Sequence, residues 1–130
     1  MISHQLTAAL HELRLLPVTP ATGEQPNVMD SIRVLGNFNG CLVGLVYFSG
    51  RTGWERHGEG EELLHILEGE TVLTMLENGT PTTLTAHQGD LVQIPRGVWH
   101  TQQTVKPVKL LFITPAGGTE HCSAETPPGC

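Results

Sequence analysis

The alternation of apolar and polar positions changes character at residue 31. Upstream, His4 to Leu16 carries Leu6, Leu10 and Leu13 at spacings of four and three behind Ser3, a candidate N-cap, which predicts a short amphipathic helix. Pro17 and Pro20 are expected to end it. Residues 17–30 (PVTPATGEQPNVMD) hold three prolines and few bulky apolar side chains, and read as an irregular connection. From Ser31 the chain breaks into short apolar runs bounded by turn residues, the texture of an all-β sandwich or barrel. The candidate strands are SIRVLG, CLVGLVYF, ELLHILEG, TVLTMLE, TPTTLTA, DLVQIP, VWHTQQT and VKLLFIT. Asn39-Gly40 and Asn78-Gly79 suit type I′ hairpin turns, because both residues of each pair tolerate positive φ. Eight strands joined in this way predict a jelly roll or closed double sheet with a short N-terminal helix.

The pattern divides the chain into a helix and irregular arm (1–30), a β-barrel (31–114) and a tail (115–130). The tail, PAGGTEHCSAETPPGC, has almost nothing to bury and is expected to be mobile or only loosely docked. His121 and Cys122 within it are accordingly read as unstructured rather than as metal ligands.

At 130 residues the chain has the size of one domain, which leaves no room for a second catalytic domain. Seven Lys and Arg face thirteen Asp and Glu, a formal net charge of -6, with no basic run to neutralise phosphates, so nucleic acid is not an expected partner. Neither a basic segment followed by an apolar run nor a stretch of the ~20 apolar residues needed to cross a bilayer is present, so no membrane partner is expected. Three cysteines, Cys41, Cys122 and Cys130, are far apart and form no C-x-x-C pair. They suggest neither a disulfide framework nor a thiolate zinc site, and favour a reducing, cytoplasmic setting.

Chemistry concentrates in two blocks. GDLVQIPRGVWH sets Gly89, Pro95, Gly97 and His100 at the spacing G-x5-P-x-G-x2-H, and GWERHGEGEELLHILEGE sets Glu62 and Gly69 at E-x6-G. These blocks resemble the second and first sequence motifs of the cupin superfamily, the first of which usually reads G-x5-H-x-H, three or four residues, then E-x6-G. The histidine half departs from that form. With a four-residue spacer Glu55 and His57 take the two histidine places, and the initial glycine is displaced, since Gly50 lies one residue too close. With a two-residue spacer, shorter than usual, His57 and Glu59 take those places instead.

The resemblance implies a cupin-type double-stranded β-helix, with one divalent metal ion (Zn, Mn, Fe, Ni or Cu) in the barrel. It also implies a homodimer, and chemistry drawn from dioxygenases, isomerases, decarboxylases and lyases.

Strand geometry supports a site independently. Residues two apart share a face, so Glu55 and His57 point one way while Trp54 and Arg56 point the other. Glu62 shares a face with Leu64 and Ile66, and His100 with Val98, Gln102 and Thr104. If those faces line a barrel, two carboxylates and two imidazoles converge as oxygen and nitrogen ligands suited to a divalent transition metal. Carboxylates facing inward are costly unless hydrogen bonds, opposite charge or a metal offset their desolvation. Glu55, His57, Glu62 and His100 are therefore the candidate metal ligands, and Glu55 and Glu59 the candidate catalytic bases.

Tyr47 and Gln102 are candidate pocket residues. His65 is expected on the face opposite Glu62, His87 in solvent, and Trp99 on the outer face. The expected function is that of a small single-domain cupin holding one divalent metal and acting on or binding a small organic molecule, possible reactions being dioxygenase- or isomerase-like. The competing expectation is a metal-free cupin that binds or senses a small molecule. Leu63, Leu67 and the N-terminal leucines, left on outer faces, argue for association.

Overall fold

The N-terminal leucines form a helix shorter than their pattern predicts. α1 spans Leu6–Glu12, with Gln5 rather than Ser3 at its N-cap and no side-chain hydrogen bond there. The computed structural model describes residues 1–20 and 30–127, and α1 is the one α-helix among them. Pro17 lies in a short strand, β1 (Leu16–Val18), that runs parallel to β3 (Cys41–Gly50). A proline is tolerated there because β1 is an edge strand. The expected irregular connection thus begins as a strand, and its residues 21–29 lie outside the described ones.

The remaining strands are β2 (Ile32–Phe38), β4 (Trp54–His57), β5 (Glu62–Glu77), β6 (Thr80–His87), β7 (Leu91–Ile94), β8 (Trp99–Pro115) and β9 (Thr119–Cys122). They join β1 and β3 in one curled sheet whose hydrogen-bonded path runs β1-β3-β8-β4-β9. β2 adds to β3, while β5 pairs with β6, β7 and β8. This is the all-β jelly-roll barrel that the turn spacing predicts. Asn39-Gly40 and Asn78-Gly79 take positive φ throughout, at 50°, 76°, 52° and 75°. They close the β2–β3 and β5–β6 hairpins, where Phe38 faces Cys41 and Glu77 faces Thr80.

Two expected strand breaks are bends instead. ELLHILEG and TVLTMLE form the single strand β5, and VWHTQQT and VKLLFIT form the single strand β8. The two pair antiparallel along their lengths, with the register shifting around Glu68 and Glu70. Gly69 sits at that irregularity with φ 91°, where a side chain's Cβ would meet the Pro107 carbonyl oxygen at 2.0 Å. The bulge also switches face. Glu62, Leu64 and Ile66 are buried on one side of it, and Thr71 and Leu73 on the other, so even positions give way to odd ones.

Core packing follows that inner face: Leu64, Ile66 and Leu73 pack with Phe48, Val92, Ile94, Val108 and Leu110. β7 delivers Val92 and Ile94, opposite Leu64 and Glu62. On the other side of β3, Leu45 is fully buried, and α1 lies against that strand.

The tail expected to be loose is ordered at its start. β9 pairs antiparallel with β4, Cys122 is buried, and the Trp54 indole N–H donates to the Glu125 carbonyl oxygen at 2.8 Å. Cys122 is disulfide-bonded and Cys41 is free. The spacing suggests no disulfide framework, and the pairing of Cys122 weakens the cysteine argument for a reducing setting. No helix among the described residues is long and apolar enough to cross a membrane.

Candidate metal centre

Three strands bring the site together in one row. Glu55 on β4 is the Cα partner of His100 on β8 and of His121 on β9, and His57 is the partner of Thr119. Adjacent partners project to the same face, so Glu55, His57, His100, Thr119 and His121 all border one cavity. Glu62 enters it from the first residue of β5. The Gly97 N–H donates to the His57 carbonyl oxygen at 2.9 Å, which fastens the turn before β8 to β4.

Glu55, His57 and His100 each offer a ligand atom, and these atoms lie within 4.8 Å of one another. Glu62 touches both imidazoles, with Oε1 3.2 Å from His100 Nε2 and Oε2 3.4 Å from His57 Nε2. Oε2 of Glu62 also accepts a hydrogen bond from the Thr114 hydroxyl. The second carboxylate, Glu55, reaches His57 Nε2 at 3.8 Å and His121 Nδ1 at 3.7 Å. His57, Glu62 and His100 are buried, whereas the Glu55 side chain is 39% exposed and that of His121 70%.

Proton positions follow from the partners. His100 Nδ1 lies 3.0 Å from the Val98 carbonyl oxygen, which can only accept, so Nδ1 carries a hydrogen and Nε2 faces Glu62. His57 Nδ1 is engaged with the Thr119 hydroxyl at 2.9 Å. Its Nε2 is buried and makes no well-aligned hydrogen bond, although the Glu62 and Glu55 carboxylates stand 3.4 and 3.8 Å away. Each ring is thus held through Nδ1 and turns Nε2 toward the same carboxylates. Metal-binding histidines are commonly oriented in this way.

Charge is distributed unevenly. Burial pushes the Glu62 carboxyl up, but the His100 and His57 imidazoles and the Thr114 hydroxyl overcome it and hold its pKa at about 2. For His100, burial works to lower the value, and the Glu62 hydrogen bond and charge raise it above the ordinary imidazole range. Glu55 is raised, first by burial and then by the charge of Glu62.

The other sequence candidates fall in different places. Gln102 lines the cavity. Tyr47 is on the opposite face of β3 from Val46 and Phe48, which line the cavity, and its ring lies under Lys109 Nζ at 4.9 Å. Glu59 is exposed and outside the cavity, its carboxylate against Gly117 and Gly118. Arg56 points outward as expected, over the Trp99 ring at 4.7 Å and paired with Glu120. Trp54 is buried at the cavity edge, under the segment that follows β9. His65 is half-buried on the face opposite Glu62, and the exposed His87 pairs with Glu70 at 2.7 Å.

His121 and Thr119 are the residues that sequence reasoning missed. The one available signal was T-x-H, two polar residues spaced to share a strand face.

A curled β-barrel with carboxylates and imidazoles gathered at one end defines a cupin-type fold. Residues 47–114 match the family described as Cupin domain, and the chain belongs to that family. Over 93 residues it is 32% identical to the uncharacterized protein YdbB of Bacillus subtilis strain 168, covering 71% of this chain and 74% of that one. Among solved structures it is similar to a cupin-2 domain containing protein from Shewanella frigidimarina. That match has 26% identity and a TM-score of 0.57, over 65% of this chain and 79% of the other. It shares its fold with the oxalate decarboxylase of Bacillus subtilis, a structure described by its Mn(II) centers. There the TM-score is 0.58 at 18% identity, over 69% of this chain and 26% of that one.

Proposed function

We propose that this cupin holds one divalent metal ion through Glu55, His57, Glu62 and His100, and binds or transforms a small organic molecule in the adjoining cavity. The observation that carries the reading is His57 Nε2, a buried nitrogen without a hydrogen-bond partner, aimed at two carboxylates. A polar atom so placed costs free energy that a coordinated ion would offset. Two imidazole nitrogens and two carboxylates suit Zn, Mn, Fe, Ni or Cu. The Mn(II) centers named for the oxalate decarboxylase of similar fold are consistent with this choice.

Such an ion would supply Lewis-acid polarisation of a bound oxygen, or activation of dioxygen. Thr119 and the Val98 carbonyl orient the two rings, and Thr114 steadies Glu62. Were Glu55 left outside the ligand set, its partly exposed carboxyl, with its proton affinity raised by burial and by the Glu62 charge, would be the group positioned to exchange a proton with a ligand. Glu59 has no such position.

A second reading has its own support. His100 Nε2 and Glu62 Oε1 already stand at ion-pair distance, as they would in a metal-free pocket that binds a small molecule.

Elemental analysis of protein purified without chelator decides between them. The metal reading expects near-stoichiometric metal. Finding none, with no thermal shift on adding Mn, Fe, Ni or Zn, overturns it in favour of the metal-free pocket.

A further inference from the structure

Away from the four site residues the cavity, about 650 Å³ in volume, changes chemistry. Leu42, Val46 and Phe48 of β3, Leu64 of β5, and Leu110 and Phe112 of β8 form an apolar wall. Val46 and Phe112 are only partly buried there, so apolar surface faces the open space. A volume of this order accommodates an organic molecule well beyond the size of acetate or oxalate.

The chain has seven Lys and Arg, and none of them lines the cavity. Arg33, Arg56 and Lys109 are paired with Glu12, Glu120 and Glu68, and Arg96 is bound to the Gly58 carbonyl. Residues 21–29 and 128–130 contain neither Lys nor Arg. A ligand carboxylate pressed against the apolar wall would therefore lose its water and gain no cation. At the other end, the charges of Glu55 and Glu62 would balance a divalent ion, leaving no net positive charge to hold a polyanion.

Resting on the metal reading above, we infer that the cavity selects ligands with a mainly apolar body, at most one negative charge, and a single oxygen-donor head group. The head group would meet the ion that Glu55, His57, Glu62 and His100 hold. The body lies along β3 and the C-terminal half of β8. Dicarboxylic acids whose second carboxylate reaches the wall are excluded by it.

Acetate, benzoate and terephthalate isolate the two determinants, since they share a head group and differ in apolar body or in a second charge. Calorimetric titration into protein of measured metal content should find benzoate at least about tenfold tighter than either of the others. Benzoate no tighter than acetate, terephthalate matching benzoate, or no benzoate binding at millimolar concentration overturns the inference. The same titrations on protein stripped by chelator separate it from the metal reading. A benzoate preference in protein that takes up no metal leaves the ligand class standing and removes the metal. Loss of the preference with metal retained removes the ligand class alone. Val46→Thr, which puts a hydroxyl into the wall at nearly constant size, should weaken benzoate by at least about threefold with metal content unchanged. An unaltered benzoate affinity in this variant also overturns the inference.

Discussion

His57 Nδ1 lies 2.9 Å from the Thr119 hydroxyl, which ties a histidine of the first cupin motif to the C-terminal strand β9. This is the hydrogen bond that holds the ring on its Nδ1 side, while Nε2 faces the Glu62 and Glu55 carboxylates at 3.4 and 3.8 Å. Thr119→Val keeps the shape and removes the anchor. Metal affinity, measured by competition with a chromophoric chelator, is expected to fall about tenfold or more. The metal-free protein should lose only about 1 kcal/mol of stability. An unchanged affinity would show that β9 does not orient the ligand ring.

Glu62 and His100 shift each other's proton affinity in opposite directions, and the signs define a pH window. The depressed Glu62 carboxyl stabilises the fold above the ordinary value of 4.5, and that contribution is lost as pH falls toward about 2. The raised His100 imidazole stabilises it below 6.5, and that contribution is lost as pH rises through its elevated value. In metal-free protein, stabilisation by the pair should be greatest between those ordinary values. Glu62→Gln should flatten both limbs of a denaturation series across pH.

Metal and proton compete for His100 Nε2. Affinity for metal should therefore decline as pH drops through the elevated His100 value, starting above the usual ~6.5. Glu62→Gln should weaken metal binding and move this onset to lower pH. A metal affinity independent of pH from neutrality to pH 5 would remove His100 from the ligand set.

The parts of this fold that depend on local chemistry were legible in the sequence. Asn39-Gly40 and Asn78-Gly79 turn where expected because few other residues tolerate two successive positive φ values. Glu62, Leu64 and Ile66 share the inner face because alternation in a strand is strict up to the bulge. The errors came from long-range pairing. Gly69 and Pro107 read as strand breaks, yet they face one another across two continuous strands, and each marks a bend. The residues of β9 carry little to bury beyond Cys122. Their order comes from the β4 edge beside them, which no window of sequence displays. His121, placed by that pairing, was therefore assigned to a loose tail. Tyr47 was uncertain for a related reason, because an apolar run buried on both faces gives no parity. Only the Tyr47–Lys109 register sets it outside the cavity.

We also propose that the chain is a homodimer. Phe38, Leu91 and Val105 are exposed large apolar side chains, while Leu63 and Leu67 are half-buried on the outer side of β5. A two-fold pair would cover part of this surface. Sedimentation equilibrium at micromolar concentration should give twice the mass of the 14.1 kDa chain. The mass of a single chain overturns the proposal.

Gly69 combines two constraints that usually occur separately. Its φ of 91° disfavours any side chain, and the Cβ of an alanine would stand 2.0 Å from the Pro107 carbonyl oxygen, so the β8 backbone would have to move. Backbone strain of the first kind costs about 1–3 kcal/mol, and the clash adds to it. Gly69→Ala should therefore lower stability by roughly 3 kcal/mol or more, or prevent folding altogether. Gly36→Ala provides the control, since nothing lies within 4 Å of the added methyl and φ is not positive there. Its effect should stay below about 1 kcal/mol. The bend also switches which parity of β5 faces inward, between the end that carries Glu62 and the end that pairs with the His100 half of β8. A partly stable Gly69→Ala protein should consequently lose metal affinity along with stability, measured in the same chelator competition. Equal thermal midpoints for Gly69→Ala and Gly36→Ala would mean that the bulge is not the fixed element that holds the two halves of the site in register.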